Sequence, residues 1–182
     1  MSIAERLLTV KRRIEEAAIQ AHREPAEVTL IAVTKQVPVE WIEEAYAAGH
    51  RHFGESKLQE AIPKILALPQ DATWHFMGNM QSNKARAIAA NFSVIHSLSN
   101  LRQLAQLDTS TQVVECLVEV NLAEETQKGG VNENGLDAFL SSVLHSSQVK
   151  FRGLMTVGPA MVDSESLRPL FRRLRELNRL AG

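Results

Sequence analysis

Lys35 is the residue in this sequence with the clearest chemical potential. It closes a short, apolar and partly β-branched stretch, residues 28–35, in which alternation places Ile31, Val33 and Lys35 on one face. An ammonium at the rim of an apolar barrel interior loses solvation and its pKa falls. A lysine of that kind forms a Schiff base with an aldehyde. The same position also suits a plain lysine that snorkels from a strand end with its charge in water. A second stretch is Trp74-His75-Phe76-Met77-Gly78-Asn79-Met80-Gln81-Ser82-Asn83-Lys84. Polar side chains and a glycine at a strand-to-helix turn suit a ligand loop and an ordinary connection equally, and Ser82 stands where it could cap the helix.

Other constellations carry weaker chemistry. Glu115, Leu117, Glu119 and Asn121 share the odd-numbered face of a later strand. Two carboxylates on one face suit acid/base work; the blander arrangement has Glu115 solvated at the bottom rim and Glu119 hydrogen-bonded inside. His50 and His52 form a His-x-His pair without an evident third zinc ligand. Lys128-Gly129-Gly130 has the composition of a mobile loop but not the spacing of a P-loop. Arg172, Arg173, Arg175 and Arg179 make the last helix basic, and Leu170, Leu174 and Leu177 on its inner side favour a simple solvated face.

The elements that must position these residues follow from periodicity. Ser2-Ile3-Ala4-Glu5 has the form of a capping box. Ile3, Leu7, Val10, Ile14, Ala17 and Ala21 then make one apolar stripe on a helix, which Pro25 ends. The strand at 28–35 follows, then a helix from Pro38 to about Ala48 before Gly49. Further strands are expected at 52–54, 74–78, 92–97, 113–121 and 149–157, and helices at 55–68, 82–90, 100–107, 134–144 and 164–180. Pro63 implies a kink or break in its helix.

After the first helix this makes six βα units, and strict βα alternation with apolar strands means a parallel sheet covered by helices. No Gly-x-Gly-x-x-Gly turn follows the first strand, so a dinucleotide-binding sheet loses ground. A closed barrel wants eight units and typically about 250 residues. The 182 residues fall short of that, so the sheet is open or the barrel incomplete. Ligands in such folds collect beyond the carboxyl ends of the strands.

Bulk properties exclude several classes. The chain is 45% hydrophobic and 23% charged, with a formal net charge of −1, so nothing favours nucleic acid or an anionic membrane surface. No apolar run approaches the roughly 20 residues of a membrane span, and no secretory signal is evident. One cysteine, Cys116, fits a reducing, cytoplasmic setting. The default is a monomer.

The motifs together resemble the pyridoxal phosphate homeostasis protein family. The likeness begins at Ala32-Val33-Thr34-Lys35 and continues through Ala48-Gly49-His50-Arg51-His52-Phe53-Gly54-Glu55. It is strongest at Trp74-His75-Phe76-Met77-Gly78 with Gln81-Ser82-Asn83-Lys84. It goes on through Ile95-His96-Ser97, Val118-Glu119-Val120-Asn121, Lys128-Gly129 and Arg152-Gly153-Leu154-Met155-Thr156. The resemblance implies an α/β fold like the TIM-type barrel domain of alanine racemases, here one incomplete barrel domain over residues 1–182 that lacks the family's C-terminal βα units. It implies pyridoxal 5′-phosphate (PLP) held as a Schiff base on Lys35, with Ser56, His75, Gly78, Asn121 and Met155 as further cofactor-binding positions. It implies a role in supplying, buffering or protecting cellular PLP without robust catalysis, with PLP-dependent apoenzymes as partners. Two departures stand out. The family's Gly-Glu-Asn is Gly54-Glu55-Ser56 here, which shortens or loses one polar contact. The family's serine- and glycine-rich phosphate segment and its arginine near the pyridine nitrogen do not occur before Gly182.

Three rivals remain open at the level of sequence. One is a PLP-dependent enzyme of the alanine racemase or decarboxylase type; the only tyrosine, Tyr46, falls in the middle of an expected helix, which counts against racemization. The others are a barrel enzyme without PLP that uses Glu119 or His75, and a barrel protein that has lost its cofactor.

Overall fold

The computed structural model describes residues 1–122, 129–159 and 163–181. Six strands alternate with helices and follow chain order in one sheet, β1-β2-β3-β4-β5-β6. The chain forms two compact units, residues 1–75 and 76–182.

The first unit opens with α1, Ile3–Gln20. The expected capping box is present: Ser2 Oγ accepts from Glu5 N at 3.2 Å, and Glu5 Oε2 accepts from Ser2 N at 2.8 Å. The helix stops before Pro25, and for a different reason. His22 adopts a left-handed φ of 54°. His22 N and Arg23 N then donate to Ile19 O at 3.0 Å and Ala18 O at 2.9 Å, a Schellman closure of the last carbonyls. Pro25 opens a separate 3₁₀ turn, Pro25–Glu27. The apolar stripe is also shallower than its periodicity suggests: Ile3, Leu7 and Ile14 are half-buried, Val10 is exposed, and the buried residue of the helix is Ala18, outside the stripe.

The strand expected at 28–35 is much shorter. β1 is Ala32–Val33, and it pairs in parallel with β2, His52–Glu55, in the register Ala32↔Phe53 and Val33↔Gly54. Val33 is half-exposed, and the chain turns immediately after Thr34. Between the strands, α2, Val39–Ala47, starts after Pro38 and ends at Gly49. Gly49 takes φ 85°, and His50 N reaches Ala45 O at 3.0 Å, a second closure of the Schellman kind that only a glycine adopts without strain. α3, Leu58–Ala67, carries Pro63 inside it as one unbroken helix. The proline therefore costs one backbone bond there and does not end the helix. β3, Thr73–Phe76, follows, and Trp74 packs on Phe53 with ring centroids 5.4 Å apart.

The second unit continues with α4, Ala85–Ala89, preceded by a 3₁₀ turn, Ser82–Lys84. Ser82 is not the cap that the sequence suggested. It is the first residue of the turn, with Gln81 in the extended position before it. The remaining elements are β4 (Val94–Leu98), α5 (Leu101–Leu107), β5 (Val114–Glu119), α6 (Glu133–Leu144), β6 (Val149–Met155) and α7 (Arg168–Ala181). β5 lies between β4 and β6 and is parallel to both. Along it Val114, Cys116 and Val118 are buried while Glu115, Leu117 and Glu119 are half-buried. That alternation sends the even face into the core, which Leu136, Phe139, Leu140 and Val143 of α6 also enter. The ladder to β6 shifts register between Cys116 and Leu117. Gly153 sits opposite Leu117 with φ 133°. A Cβ on Gly153 would come within 2.9 Å of Asn178 Oδ1, and that oxygen accepts from Leu154 N at 3.0 Å, so α7 docks on a bare stretch of backbone. No helix among the described residues is long and apolar enough to cross a membrane.

Candidate functional site

In the first unit Lys35 does not end a strand; it occupies a turn. Val37 N donates to Thr34 O at 2.9 Å, and Gln36, at the third position, has φ 61°. A single left-handed residue at that position is the mark of a type II turn. Lys35 stands second in the turn and is exposed. The desolvated lysine expected on the face of Ile31 and Val33 is therefore replaced by a lysine lifted clear of the strand. It makes no ion pair among the described residues.

The residues on either side of Lys35 are firmly held. Thr34 N donates to Gly54 O at 2.8 Å. Thr34 Oγ1 donates to Glu55 Oε1 at 2.7 Å. Lys64 Nζ, buried on α3, donates to Thr34 O at 2.8 Å and to Glu55 Oε1 at 2.7 Å. Glu60 Oε1 lies 3.4 Å from the same ammonium and accepts from Gln36 N. That N–H, with Lys64 adding to it, holds the Glu60 carboxyl below the usual carboxylate range. Glu55 is fully buried, and its Oε2 has no hydrogen-bond partner among the described residues. The sequence reading missed Lys64 and Glu60. The signal was available: Ala61 and Lys64 share one helical face, and a lysine on a buried face needs a buried acid.

Two other first-unit candidates lie at the carboxyl ends of their strands. Ser56 follows β2 directly and is half-buried. His75 on β3 is buried, and its Nε2 lies 3.1 Å from His52 Nδ1. The two histidines of the His-x-His pair serve different partners, since His50 Nε2 lies 2.7 Å from His52 O. Burial pushes the His50 imidazole below its usual range, against the raising effect of that hydrogen bond.

In the second unit Gly78, Asn121 and Met155 lie at or just past the carboxyl ends of β3, β5 and β6. Gly78 is buried two residues past β3, Asn121 lies two residues past β5, and Met155 is the last residue of β6. The connection after β5 returns onto the strand: Val120 bridges Val131, Asn121 N donates to Val131 O at 3.0 Å, and Val131 N donates to Glu119 O at 2.8 Å. Val120 N donates to Met155 O at 2.8 Å, and Thr156 Oγ1 to Val120 O at 2.8 Å. Lys128 lies outside the described residues. Gln103, also absent from the sequence candidates, is buried at the start of α5 and ties two loops together. Its Nε2 donates to Met80 O at 2.7 Å, and its Oε1 accepts from Ser99 N at 2.8 Å.

The two carboxylates of β5 have separate fates. Glu115 binds Lys150 and Arg152 of β6, each at 3.2 Å, so it belongs to a surface ion cluster. Glu119 is half-buried, and burial raises its carboxyl above the usual range. Arg173 of α7 pairs with Glu133 at 2.6 Å, in keeping with a solvated basic face.

Comparison with known proteins agrees with this arrangement. The family described as the alanine racemase N-terminal domain matches residues 9–181. A pyridoxal phosphate homeostasis protein of Pseudomonas aeruginosa is 38% identical over 181 residues, which cover 97% of this chain and 79% of that protein. One from Aquifex aeolicus is 36% identical, covering 97% of this chain and 80% of that protein. Among solved structures, PipY of Synechococcus elongatus without PLP superposes with a TM-score of 0.85 at 36% identity, covering 99% of this chain and 84% of PipY. The PLP-bound form of PipY gives 0.80 at 35% identity, covering 99% of this chain and 82% of that one. Alanine racemase from Corynebacterium glutamicum, at 18% identity and a TM-score of 0.65, covers 99% of this chain and 50% of the racemase and shares the fold. With its six parallel strands in chain order, the chain is an incomplete alanine-racemase-type (β/α) barrel and belongs to the pyridoxal phosphate homeostasis protein family.

Proposed function

We propose that this protein binds PLP covalently through Lys35 and serves the intracellular homeostasis of that cofactor, holding it without turning over substrates. The observation that carries the reading is the presentation of Lys35: an exposed primary amine, free of ion pairs among the described residues, on a turn whose neighbours are fixed by buried groups. A lysine forms a Schiff base by attack of its amine on an aldehyde, and an exposed lysine without a carboxylate partner is sterically open to that approach. The PLP-bound PipY relative supports the choice of cofactor. When bound, PLP supplies the aldehyde and an electron-withdrawing ring.

The chain's own residues have simple roles in this reading. Lys35 supplies the covalent bond as a Schiff base. Ser56 and His75 of the first unit, and Gly78, Asn121 and Met155 of the second, are the further cofactor-binding positions. Gly78 offers backbone without a side chain, and Asn121 offers an amide. PLP-dependent apoenzymes are the recipients, and the protein works as a cytoplasmic monomer. The test is borohydride reduction of the PLP-loaded protein followed by peptide mass spectrometry, with turnover assays on D- and L-amino acids alongside. A pyridoxyl label on Lys35 that Lys35→Ala abolishes, without measurable turnover, is the expected result. A label on a different lysine sinks the assignment, and turnover of an amino acid turns the carrier into an enzyme.

A further inference from the structure

We propose that Glu55, Lys64 and Glu60 are positioning residues for Lys35: they form a charged clamp that fixes the turn and thereby the direction in which the lysine amine is presented. The inference rests on the reading of Lys35 as the PLP lysine. The hydrogen bonds of the three clamp residues go to one another and to the residues flanking Lys35.

The geometry is specific. The ammonium of Lys64 is buried and touches both a carboxylate, at 2.7 Å, and the carbonyl of Thr34, at 2.8 Å. Thr34 O also accepts from Val37 N at 2.9 Å, so one carbonyl joins the turn to the clamp. On the far side of Lys35, Gln36 N is held by Glu60. Lys35 is thus bracketed by a carbonyl bound to a cation and an N–H bound to an anion, both charge-assisted. Gln36 keeps a left-handed φ of 61°, uncommon for a non-glycine residue and favoured by a local restraint. Glu60 supplies that restraint. The partnerless Oε2 of Glu55 bears on the same conclusion. A buried ion pair with an unsatisfied oxygen is a poor device for stability alone, where apolar side chains of the same volume do as well or better. It is a good device for fixing a carbonyl and a hydroxyl in place. A lysine on a preset turn pays less ordering entropy on binding than one on a loose loop.

The experiment uses the whole 182-residue protein and variants Glu60→Ala, Glu60→Gln and Lys64→Met. Glu60 is partly exposed, so Glu60→Ala tests the clamp even where Lys64→Met unfolds. Three readouts are taken: hydrogen exchange of the Gln36 amide without PLP, PLP affinity, and circular dichroism in the visible band of the bound cofactor. In Glu60→Ala the Gln36 amide should exchange about tenfold faster, the PLP Kd should rise by about the same factor, and the visible dichroism should shrink. Glu60→Gln keeps an oxygen acceptor and should restore most of each. Faster exchange with unchanged affinity and dichroism overturns the positioning role and leaves Lys35 as the PLP site. Unchanged exchange overturns the clamp itself. Label on another lysine of the unaltered protein overturns the Lys35 reading and this inference together.

Discussion

The two units hold the carboxyl ends of their strands by different means. In the first, side chains do it: Lys64, Glu55 and Glu60 bring buried charge to the turn at Lys35. In the second, the segment after β5 is fastened by backbone, through Val120, Asn121, Val131 and Met155. The ion cluster in the second unit, Glu115 with Lys150 and Arg152, lies instead at the other end of β5 and β6, half in solvent. The same residue types therefore do different work. Buried, they dictate a local conformation at the cost of desolvation; on the surface, they are screened and nearly interchangeable.

The largest test of this contrast is Lys64→Met, which strands the Glu55 carboxylate in the core. We expect a loss of about 3–5 kcal/mol in urea unfolding. Replacing both partners, with Glu55→Leu added, should recover most of that stability while leaving the turn loose. If Lys64→Met costs no more than a surface change, the buried pair is not the restraint it looks to be. Next comes Gly130→Ala. Gly130 has φ 112°, and a Cβ there would stand 2.8 Å from Asn121 N and 3.2 Å from Glu119 O. The backbone fastening cannot yield without breaking, so about 1–3 kcal/mol should be lost. A neutral outcome in the same urea assay would show that the second unit's fastening is slack.

A pH series sharpens the comparison further. Burial lowers the pKa of His50 in the first unit and of His96 in the second. Each is neutral in the folded state at a pH where the unfolded chain, with a histidine pKa of about 6.5, takes up a proton. Their contribution is complete above the unfolded value and is lost as pH falls through the folded values. Urea midpoints should therefore hold from pH 8 to 7 and decline below about 6.5. The depressed carboxylates Glu60 and Glu133 act in a lower window, since their contribution is lost only as acid protonates them. A midpoint that rises on acidification to pH 5.5 contradicts the assignment. The smallest effect belongs to Glu115→Gln, which should cost about 0–1 kcal/mol and less in high salt. A larger loss would mean that the surface cluster also organises its surroundings.

The pattern of what was legible in the sequence follows the same division. Local chemistry was readable: the capping box at Ser2 and Glu5, the stop at Gly49 and the six βα units all depend on residues within a few positions of one another. The reading failed where a contact from another element decides. Residues 28–35 have strand composition, yet β1 is only Ala32–Val33, and directly after it Thr34 and Gln36 are held by groups on β2 and α3. Ser82 lost its cap because the chain enters a 3₁₀ turn one residue too early for its hydroxyl. Pro63 implied a kink or a break, and the helix runs on through it with Ala61 and Lys64 buried on either side. The candidate positions Lys35, Ser56, His75, Gly78, Asn121 and Met155 come from motif order and stand as proposals; Lys64, Glu60 and Gln103 escaped that reading, since each is defined by a partner distant in sequence.

The clamp also bears on biosynthesis. Its bonds span 4, 9, 21, 24 and 30 positions along the chain, and all the groups that make them precede residue 65. A polypeptide emerging from the ribosome N-terminus first holds every group of the clamp once Lys64 has been made. Residues 76–182 need not exist for those bonds to be chemically available. Loop-closure entropy grows only slowly with separations of this size. The turn that presents Lys35 is therefore a candidate for early, vectorial assembly, with the lysine set in place before most of the sheet has been synthesised.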